Sequence, residues 1–186
     1  MAGGLEGVKA ILAIDPSSTV AGWAVLNGSV QAAGVIDLTQ EPPWLRYTVL
    51  IAHVAAICVK HDVGGIVCER AFSQGYNTAP LSVAVNCVEA YAKQEGQPFT
   101  LYSPSQWKRD LTGSGKATKE HVQAVVRNIA PEVGAVLDAV KAAHVEHVGD
   151  AIGLGLAHRG HFRIDPLKVS PPKRAASRAK IKPSRA

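Results

Sequence analysis

The chain has 186 residues, of which 47% are hydrophobic, and its formal net charge is +5. This length supports one sizeable hydrophobic core rather than two. No apolar run is long enough to span a membrane and the N-terminus lacks a signal-peptide core, so we expect a cytoplasmic protein. The three cysteines have no C-x-x-C spacing and lie in apolar stretches, which predicts reduced core residues (Cys58, Cys68 and Cys87).

The positive charge is concentrated at the C-terminus. Residues 166–186 contain seven Lys and Arg residues and no acid, which leaves 13 basic and 15 acidic residues, a net charge of −2, in residues 1–165. The tail is rich in Pro, Ser and Ala, and this composition is typical of disorder. We therefore predict a folded domain over 1–165 and a basic tail over 166–186. Such a tail commonly contacts nucleic acid, and a solubilising extension is the alternative.

The chain opens with three predicted strands, at 8–15, 21–27 and 29–38. The pair Asn27-Gly28 separates the second strand from the third. It indicates a β-hairpin with a type I′ turn, in which both central residues have positive φ. The first 38 residues are therefore expected to form an antiparallel meander.

From Pro43 onward, helices and strands alternate. Apolar residues with a spacing of three to four predict a helix over 43–60, with Pro43 in its first turn. A strand ending at Glu69, an exposed loop at 70–77, a helix over 78–95 and a short strand at 98–102 follow. Strands linked by helices pair in parallel within a sheet.

The remainder is predicted to be helical. Ser103 suits the N-cap of a helix through 111, Thr118 suits the N-cap of another to about 130, and a last helix carries Asp150 and ends near Gly160. The order βββαβαβα predicts an α/β fold with a mixed five-stranded sheet flanked by helices.

Three acidic residues lie where each could hold a metal ion. Asp15 ends the apolar run 11–14, Glu69 ends the run 65–68, and Asp150 lies in an apolar helical stretch. An ionised carboxylate at such a position is costly unless it is paired or binds a cation. Hard divalent cations prefer oxygen ligands, and metals held by carboxylates catalyse phosphodiester chemistry. A helix cap or an ion pair is the alternative for each residue.

Four segments carry a resemblance to a known family: ILAIDPSSTVAGWAVL (11–26), CERAF (68–72), SPSQWKRDLTGSGKATKEHVQ (103–123) and HVGDAIGLGLAH (147–158). With these segments in this order, the chain resembles the RuvC-type Holliday junction resolvases of the ribonuclease H-like superfamily, phage-type members included. Actin-like sugar kinases open with a similar strand, but they are far longer and need a second phosphate loop. The resemblance implies a ribonuclease H-like fold and a homodimer that nicks opposed strands of a four-way junction.

The resemblance also implies a metal site. Asp15, Glu69 and Asp150 would hold Mg²⁺, with His147 at a fourth position where many relatives have Asp and some have His. Positions 147 and 150 share a helix face. Glu146 is the alternative ligand, and a lone helix histidine is otherwise a surface or core residue. Two Mg²⁺ ions, for which Mn²⁺ would substitute, activate a water and stabilise the leaving oxygen. The expected products carry a 5′-phosphate and a 3′-hydroxyl.

Further residues are assigned to DNA on the same basis. Phe72 is similar to a family phenylalanine that stacks on bases at the junction centre, with Tyr76 on the same loop as a second candidate; a core Phe72 is the alternative. Lys108 and Lys119 match lysines near the scissile phosphate, and Lys119 is counted as catalytic. The loop at Ser114 would let backbone N–H groups approach a phosphate, and Lys116 is either a DNA contact or a solvated lysine. Trp107 is predicted to be a core residue, because the family pattern does not require an aromatic residue at this position.

These inferences identify a Mg²⁺-dependent endonuclease that resolves four-way (Holliday) DNA junctions by paired nicks, in a bacterial or phage-infected cell. The expected partners are junction or branched DNA, a second copy of the chain docked through helix 78–95, and a branch-migration motor. Two alternatives are a broader nuclease that also cuts forks and flaps, and a catalytically silent junction-binding protein. The intact carboxylates argue against the silent protein.

Overall fold

A mixed five-stranded sheet organises residues 9–70 and 79–160, the part of the chain that the computed structural model describes. Its strand order is β3-β2-β1-β4-β5. The strands are β1 (Ala10–Asp15), β2 (Val20–Asn27), β3 (Ser29–Asp37), β4 (Val63–Glu69) and β5 (Phe99–Tyr102). The α-helices are α1 (Arg46–Lys60), α2 (Ala79–Gln94), α3 (Pro104–Thr112), α4 (Lys119–Ile129), α5 (Val133–Ala139) and α6 (Val145–Arg159). The predicted α/β class is confirmed.

The strand pairing agrees with the predicted topology. β1, β2 and β3 form an antiparallel meander, β4 pairs in parallel with β1, and β5 pairs in parallel with β4. The turn type is wrong, however, because Gly28 has φ +79° whereas Asn27 does not have a positive φ. A register shift between Val25 and Leu26 accompanies this turn. One glycine with positive φ and one irregularity in the ladder therefore replace the type I′ turn.

Several helix boundaries differ from the predictions. α1 begins at Arg46 rather than at Pro43, because Leu45 N–H donates to Pro42 O in a separate turn before the helix. The short helix α5 was not predicted, since its two buried residues, Val133 and Leu137, are too few to give a periodic pattern. The N-caps of α3 and α4 are confirmed: Ser103 accepts from Gln106 N–H and Thr118 accepts from His121 N–H.

The two faces of the sheet are packed by different helices. α1 and α2 cover the face that carries Leu12 and Ile14, whereas α3 to α6 cover the face that carries Ala13 and Val67. Side chains two residues apart in a strand point to the same side. Asp15 follows Ala13 and Glu69 follows Val67 at this spacing, so both carboxylates belong to the α6 face.

Some predictions concern residues outside the described ranges. Phe72, Tyr76, the domain boundary at 165 and the basic tail 166–186 all lie there. Of the cysteines, Cys58 and Cys68 are buried and Cys87 is half-buried, and all three are free thiols. Within residues 9–70 and 79–160, no helix is long and apolar enough to cross a membrane.

Candidate active site

Neighbouring parallel strands bring Asp15 and Glu69 to one edge of the sheet. Asp15 ends β1 and Glu69 ends β4, and the preceding residues Ile14 and Cys68 are register partners. α6 crosses the same edge and carries Asp150. The predicted convergence of two strand-end carboxylates and one helical carboxylate is therefore present at the level of the backbone.

A glycine on β2 allows the start of α6 to lie close to Asp15. Gly22 is the register partner of Asp15. A Cβ atom added at Gly22 would lie 2.0 Å from the backbone oxygen of His147. Since a side chain at position 22 would collide with backbone, only glycine admits the first turn of α6 here.

His147 contacts Asp15 directly. Nδ1 of His147 lies 2.9 Å from Oδ2 of Asp15. An ionised carboxylate only accepts hydrogen bonds, so Nδ1 donates whenever Asp15 is ionised, and in the neutral ring Nε2 then has a lone pair suited to a metal. The hydrogen bond to Asp15 raises the pKa of His147 above its usual value.

The buried carboxylates hold protons more tightly than ordinary acids do. Burial, followed by repulsion from Asp15, raises the pKa of Glu69 to about 7. Burial, again followed by repulsion from Asp15, raises the pKa of Asp150 to about 6. The positive charge of Lys108 acts in the opposite direction on both groups. Asp15, Glu69 and Asp150 thus form a cluster with unbalanced negative charge.

Trp107 makes a contact that the sequence pattern did not predict. Its side chain is fully buried, as predicted, but its Nε1–H donates to Oε2 of Glu69 at 2.5 Å. The ammonium group of Lys108 lies 5.4 Å from the centre of the Trp107 ring. A buried indole N–H needs an acceptor, and this need is the only signal in the sequence that pointed to such a contact.

Lys119 and Glu146 form an ion pair at the side of the cluster. The hydrogen bond that the Lys119 ammonium donates to Glu146 is the main reason why the pKa of Lys119 is raised, and the charges of Asp150 and Asp15 add to it. Glu146, the alternative metal ligand, is thus held by Lys119, whereas His147 is held by Asp15. This arrangement favours His147 as the residue that belongs with the carboxylates.

The loop between α3 and α4 contains two of the predicted DNA-binding residues, Ser114 and Lys116. Gly113 ends α3 with φ +79°. Ser114 N–H donates to the hydroxyl of Thr112, and the Ser114 hydroxyl accepts from Lys116 N–H at 3.3 Å. Ser114 therefore contributes to the loop's own hydrogen bonds, and a role for Ser114 or Lys116 in DNA binding stays a prediction.

The candidate site has ligand atoms of a type that suits a metal ion, but these side chains are not close enough together to form a metal site. No three His, Cys, Asp or Glu side chains within 9–70 and 79–160 are grouped closely enough to form a metal site. The chemistry nevertheless fits a hard cation, because buried carboxylate oxygens that repel one another would be relieved by a divalent charge. An open cleft of about 450 Å³ beside Asp15 and His147 leads to this edge. That Asp15, Glu69, His147 and Asp150 hold the metal stays a prediction.

Comparison with known proteins agrees with this geometry. The family model described as crossover junction endodeoxyribonuclease RuvC matches residues 11–158. The protein of that name from Alkalilimnicola ehrlichii is 31% identical over 155 residues, covering 80% of this chain and 89% of the relative. The structure of Thermus thermophilus RuvC in complex with Holliday junction substrate is 26% identical with a TM-score of 0.67, covering 83% of this chain and 94% of that one. A fowlpox virus resolvase, 15% identical with a TM-score of 0.56, covering 80% of this chain and 95% of its own, shares the fold.

Proposed function

The chain belongs to the RuvC family of crossover junction endodeoxyribonucleases, and we propose that it resolves Holliday junctions with the carboxylate cluster of Asp15, Glu69 and Asp150. The reaction is hydrolysis of DNA phosphodiester bonds and requires a divalent metal. We assign to it paired nicks in opposed strands, with 5′-phosphate and 3′-hydroxyl ends.

One observation favours an enzyme over a catalytically silent junction-binding protein. Burial, and after it the charge of Asp15, raises the pKa values of both Glu69 and Asp150, although the three residues come from two strands and a helix. A junction-binding surface has no need of buried acids that repel one another, because phosphates are themselves negative. A cluster of this kind is suited to a divalent cation and to phosphoryl chemistry.

Each residue has a separate role in the proposal. Glu69, Asp150 and Asp15 would supply oxygen ligands, and His147 would supply Nε2 while its hydrogen bond to Asp15 orients the ring. A divalent cation bound there would polarise the scissile phosphate and lower the pKa of the attacking water. We infer two Mg²⁺ ions for each site, with Mn²⁺ as a substitute. We propose that Lys108 and Lys119, whose positive charges act on Asp150, neutralise phosphate oxygens of the bound DNA.

The wider assignments rest on the family. We propose a homodimer that docks through α2, where Val83 is an exposed apolar residue with 41% accessibility. Two active sites in one dimer would account for paired nicks at a two-fold symmetric junction. Phe72, Tyr76, Ser114 and Lys116 are proposed DNA contacts, a branch-migration motor is a proposed partner, and the cytoplasm is the proposed location.

A cleavage assay tests the proposal. Purified protein with Mg²⁺ is given a four-way junction, a fork, a flap and a linear duplex of matched sequence, with Asp15→Asn as the inactive control. We expect the wild-type protein to nick the junction far faster than the other substrates. Equal cutting of forks and flaps would indicate a broader nuclease. Junction binding without cleavage in Mg²⁺ or Mn²⁺ would show a silent binding protein and overturn the enzymatic assignment.

A further inference from the structure

The indole of Trp107 lies where it can orient Glu69. We infer that Trp107 is a positioning residue that holds Oε2 of Glu69 and leaves Oε1 available to a divalent cation. The inference deepens the proposed function, since it takes Glu69 to be a metal ligand. It rests on the hydrogen bond of 2.5 Å between Nε1 of Trp107 and Oε2 of Glu69.

The packing of α3 and α6 fixes the donor. Trp107 is completely buried, in a helix whose first turn is capped by Ser103. Its ring lies against α6 at Gly153, where an added Cβ atom would be 3.0 Å from Cζ3 of the ring. Gly153 thus provides the space that the ring fills. A buried donor held by packing can impose a direction on a flexible acceptor.

The acceptor needs such a restraint. The backbone of Glu69 is held by β5, because Glu69 is the register partner of Tyr102 and Arg70 N–H donates to Tyr102 O at 2.7 Å. The side chain beyond it has three rotatable bonds. The negative charges of Asp15 and Asp150 also repel its carboxylate. Without a partner, Glu69 would turn away from the residues with which it must share a cation.

The chemistry of the indole suits this task better than a charged partner would. An indole N–H donates one hydrogen bond and accepts none, whereas a carboxylate has about four lone-pair positions. One bond to Oε2 therefore leaves most of the acceptor capacity of Glu69 unused. Because the indole is neutral, it orients the carboxylate without cancelling the negative charge that attracts a cation. A lysine or arginine at position 107 would compete with the metal.

Metal affinity without DNA gives the direct test. Trp107→Phe keeps an aromatic ring and removes the N–H group, and Trp23→Phe is the matched control on the α1 and α2 face. Calorimetric titration of each folded variant with Mg²⁺ and Mn²⁺ measures affinity, and thermal unfolding checks the fold. We expect Trp107→Phe to bind about 10- to 100-fold more weakly than wild type, and Trp23→Phe to bind normally. Wild-type affinity in a folded Trp107→Phe variant would overturn the inference.

A double-mutant cycle separates positioning from packing. If Trp107 acts through Glu69, Trp107→Phe should weaken metal binding in the wild-type background but have little further effect in Glu69→Gln. Equal losses in both backgrounds would mean that Trp107 only supports the fold. If wild-type protein binds the metal and depends on Trp107 but leaves junctions uncut, the inference stands and the proposed function fails. A wild-type protein that binds neither metal overturns both.

NMR spectroscopy of the wild-type protein tests the same hydrogen bond even if the Trp107→Phe variant does not fold. The chain has three tryptophans, so ¹⁵N-labelled protein should show three indole N–H signals. Trp23→Phe and Trp44→Phe each remove one signal, which assigns the third to Trp107. We expect this signal to move on addition of Mg²⁺ and in Glu69→Gln. A signal that moves in neither experiment would contradict the inference.

Discussion

The two faces of the sheet differ in how closely their helices approach. On the α1 and α2 face, the strands present large side chains such as Leu12 and Ile14, and the helices lie on a layer of ordinary apolar packing. On the α6 face, the strands present Gly22 and Ala13, and Gly155 of α6 lies so close that an added Cβ atom would be 2.3 Å from Leu26. The close approach brings His147 to Asp15. The geometry of the candidate site therefore depends on small residues as much as on acidic ones.

The faces also differ in charge. The core under α1 and α2 is apolar, whereas the α6 face ends in carboxylates whose pKa values are raised by burial. Buried charge of one sign destabilises a fold unless it is compensated. We therefore expect the buried carboxylates of the α6 face to lower the free energy of unfolding, whereas the apolar opposite face carries no such cost.

Neutralising a site carboxylate should have the largest effect. We expect Glu69→Gln and Asp150→Asn each to lower junction cleavage in Mg²⁺ by at least about 100-fold, the scale on which one electrostatic partner of a transition state acts. Junction binding should persist or strengthen, because negative charge near phosphates is removed. Cleavage rates and binding affinities measure the two effects.

The matched control is Asp62→Asn, which changes an acid of 83% side-chain exposure that pairs with Lys9. Position 62 has φ +47°, a conformation that asparagine tolerates. Cleavage by this variant should equal that of wild type. Near-native cleavage by a Glu69 or Asp150 variant would remove that residue from the active site.

A methyl group under α6 should distinguish the two modes of packing. Gly22→Ala places Cβ against the His147 backbone and should lower the free energy of unfolding by about 3 kcal/mol. The displaced His147 should also reduce metal affinity. Gly65→Ala, whose Cβ would lie 3.5 Å from Pro98 O, should change stability by less than about 1 kcal/mol. Chemical denaturation compares them, and equal stability of the two variants would contradict the close-approach argument.

The apo protein should lose stability as pH rises. The folded-state pKa values of Glu69, about 7, and Asp150, about 6, lie above their usual values of 4.5 and 3.8, and that of His147 is also raised. The folded state therefore binds more protons than the unfolded state from about pH 4 to just above pH 7, and the free energy of unfolding falls over this window. Glu69→Gln should remove roughly 1–3 kcal/mol of that decline.

Thermal unfolding across pH 4 to 8 in the presence of a chelator measures this dependence. Addition of Mg²⁺ should raise the melting temperature most at the upper end of the range, where the carboxylates are ionised. Stability that rises steadily from pH 4 to 8 in the apo protein would contradict the unbalanced cluster.

The helix N-termini give the smallest expected effects. Ser103 caps α3, next to the site, whereas Leu45 at the start of α1 makes no side-chain cap and is 42% exposed. Ser103→Ala should cost about 1 kcal/mol, and Leu45→Asn should add about 0.5–1 kcal/mol, without change in cleavage for Leu45→Asn. Denaturant titrations measure both. A destabilising Leu45→Asn would show that the apolar contacts of the leucine side chain outweigh the gain from a cap.

Local sequence signals accounted for most elements of the fold. Ser103 and Thr118 marked helix starts, and apolar runs marked the strands that end at Asp15 and Glu69. The failures were also local. The start of α1 was misplaced because Pro43 suits a turn as well as a first helical turn, and α5 is too short for its period to be recognised. The order of elements followed from these signals, together with the rule that helix-linked strands pair in parallel.

From the sequence alone, we predict that the chemistry is carried by two carboxylates at the ends of apolar runs, a third within an apolar helical stretch, a histidine one helical turn from Asp150, and lysines in the surrounding motifs. Which of these side chains contact one another depends on the tertiary fold. His147 contacts Asp15 across 132 residues of sequence, Trp107 contacts Glu69 across 38, and Lys119 pairs with Glu146 across 27. Such contacts depend on how closely a helix approaches its neighbours, and that distance depends on the small side-chain volumes at Gly22, Gly153 and Ala13. A periodic pattern indicates which side of a helix is apolar, but it does not predict the distance at which the helix packs against the sheet.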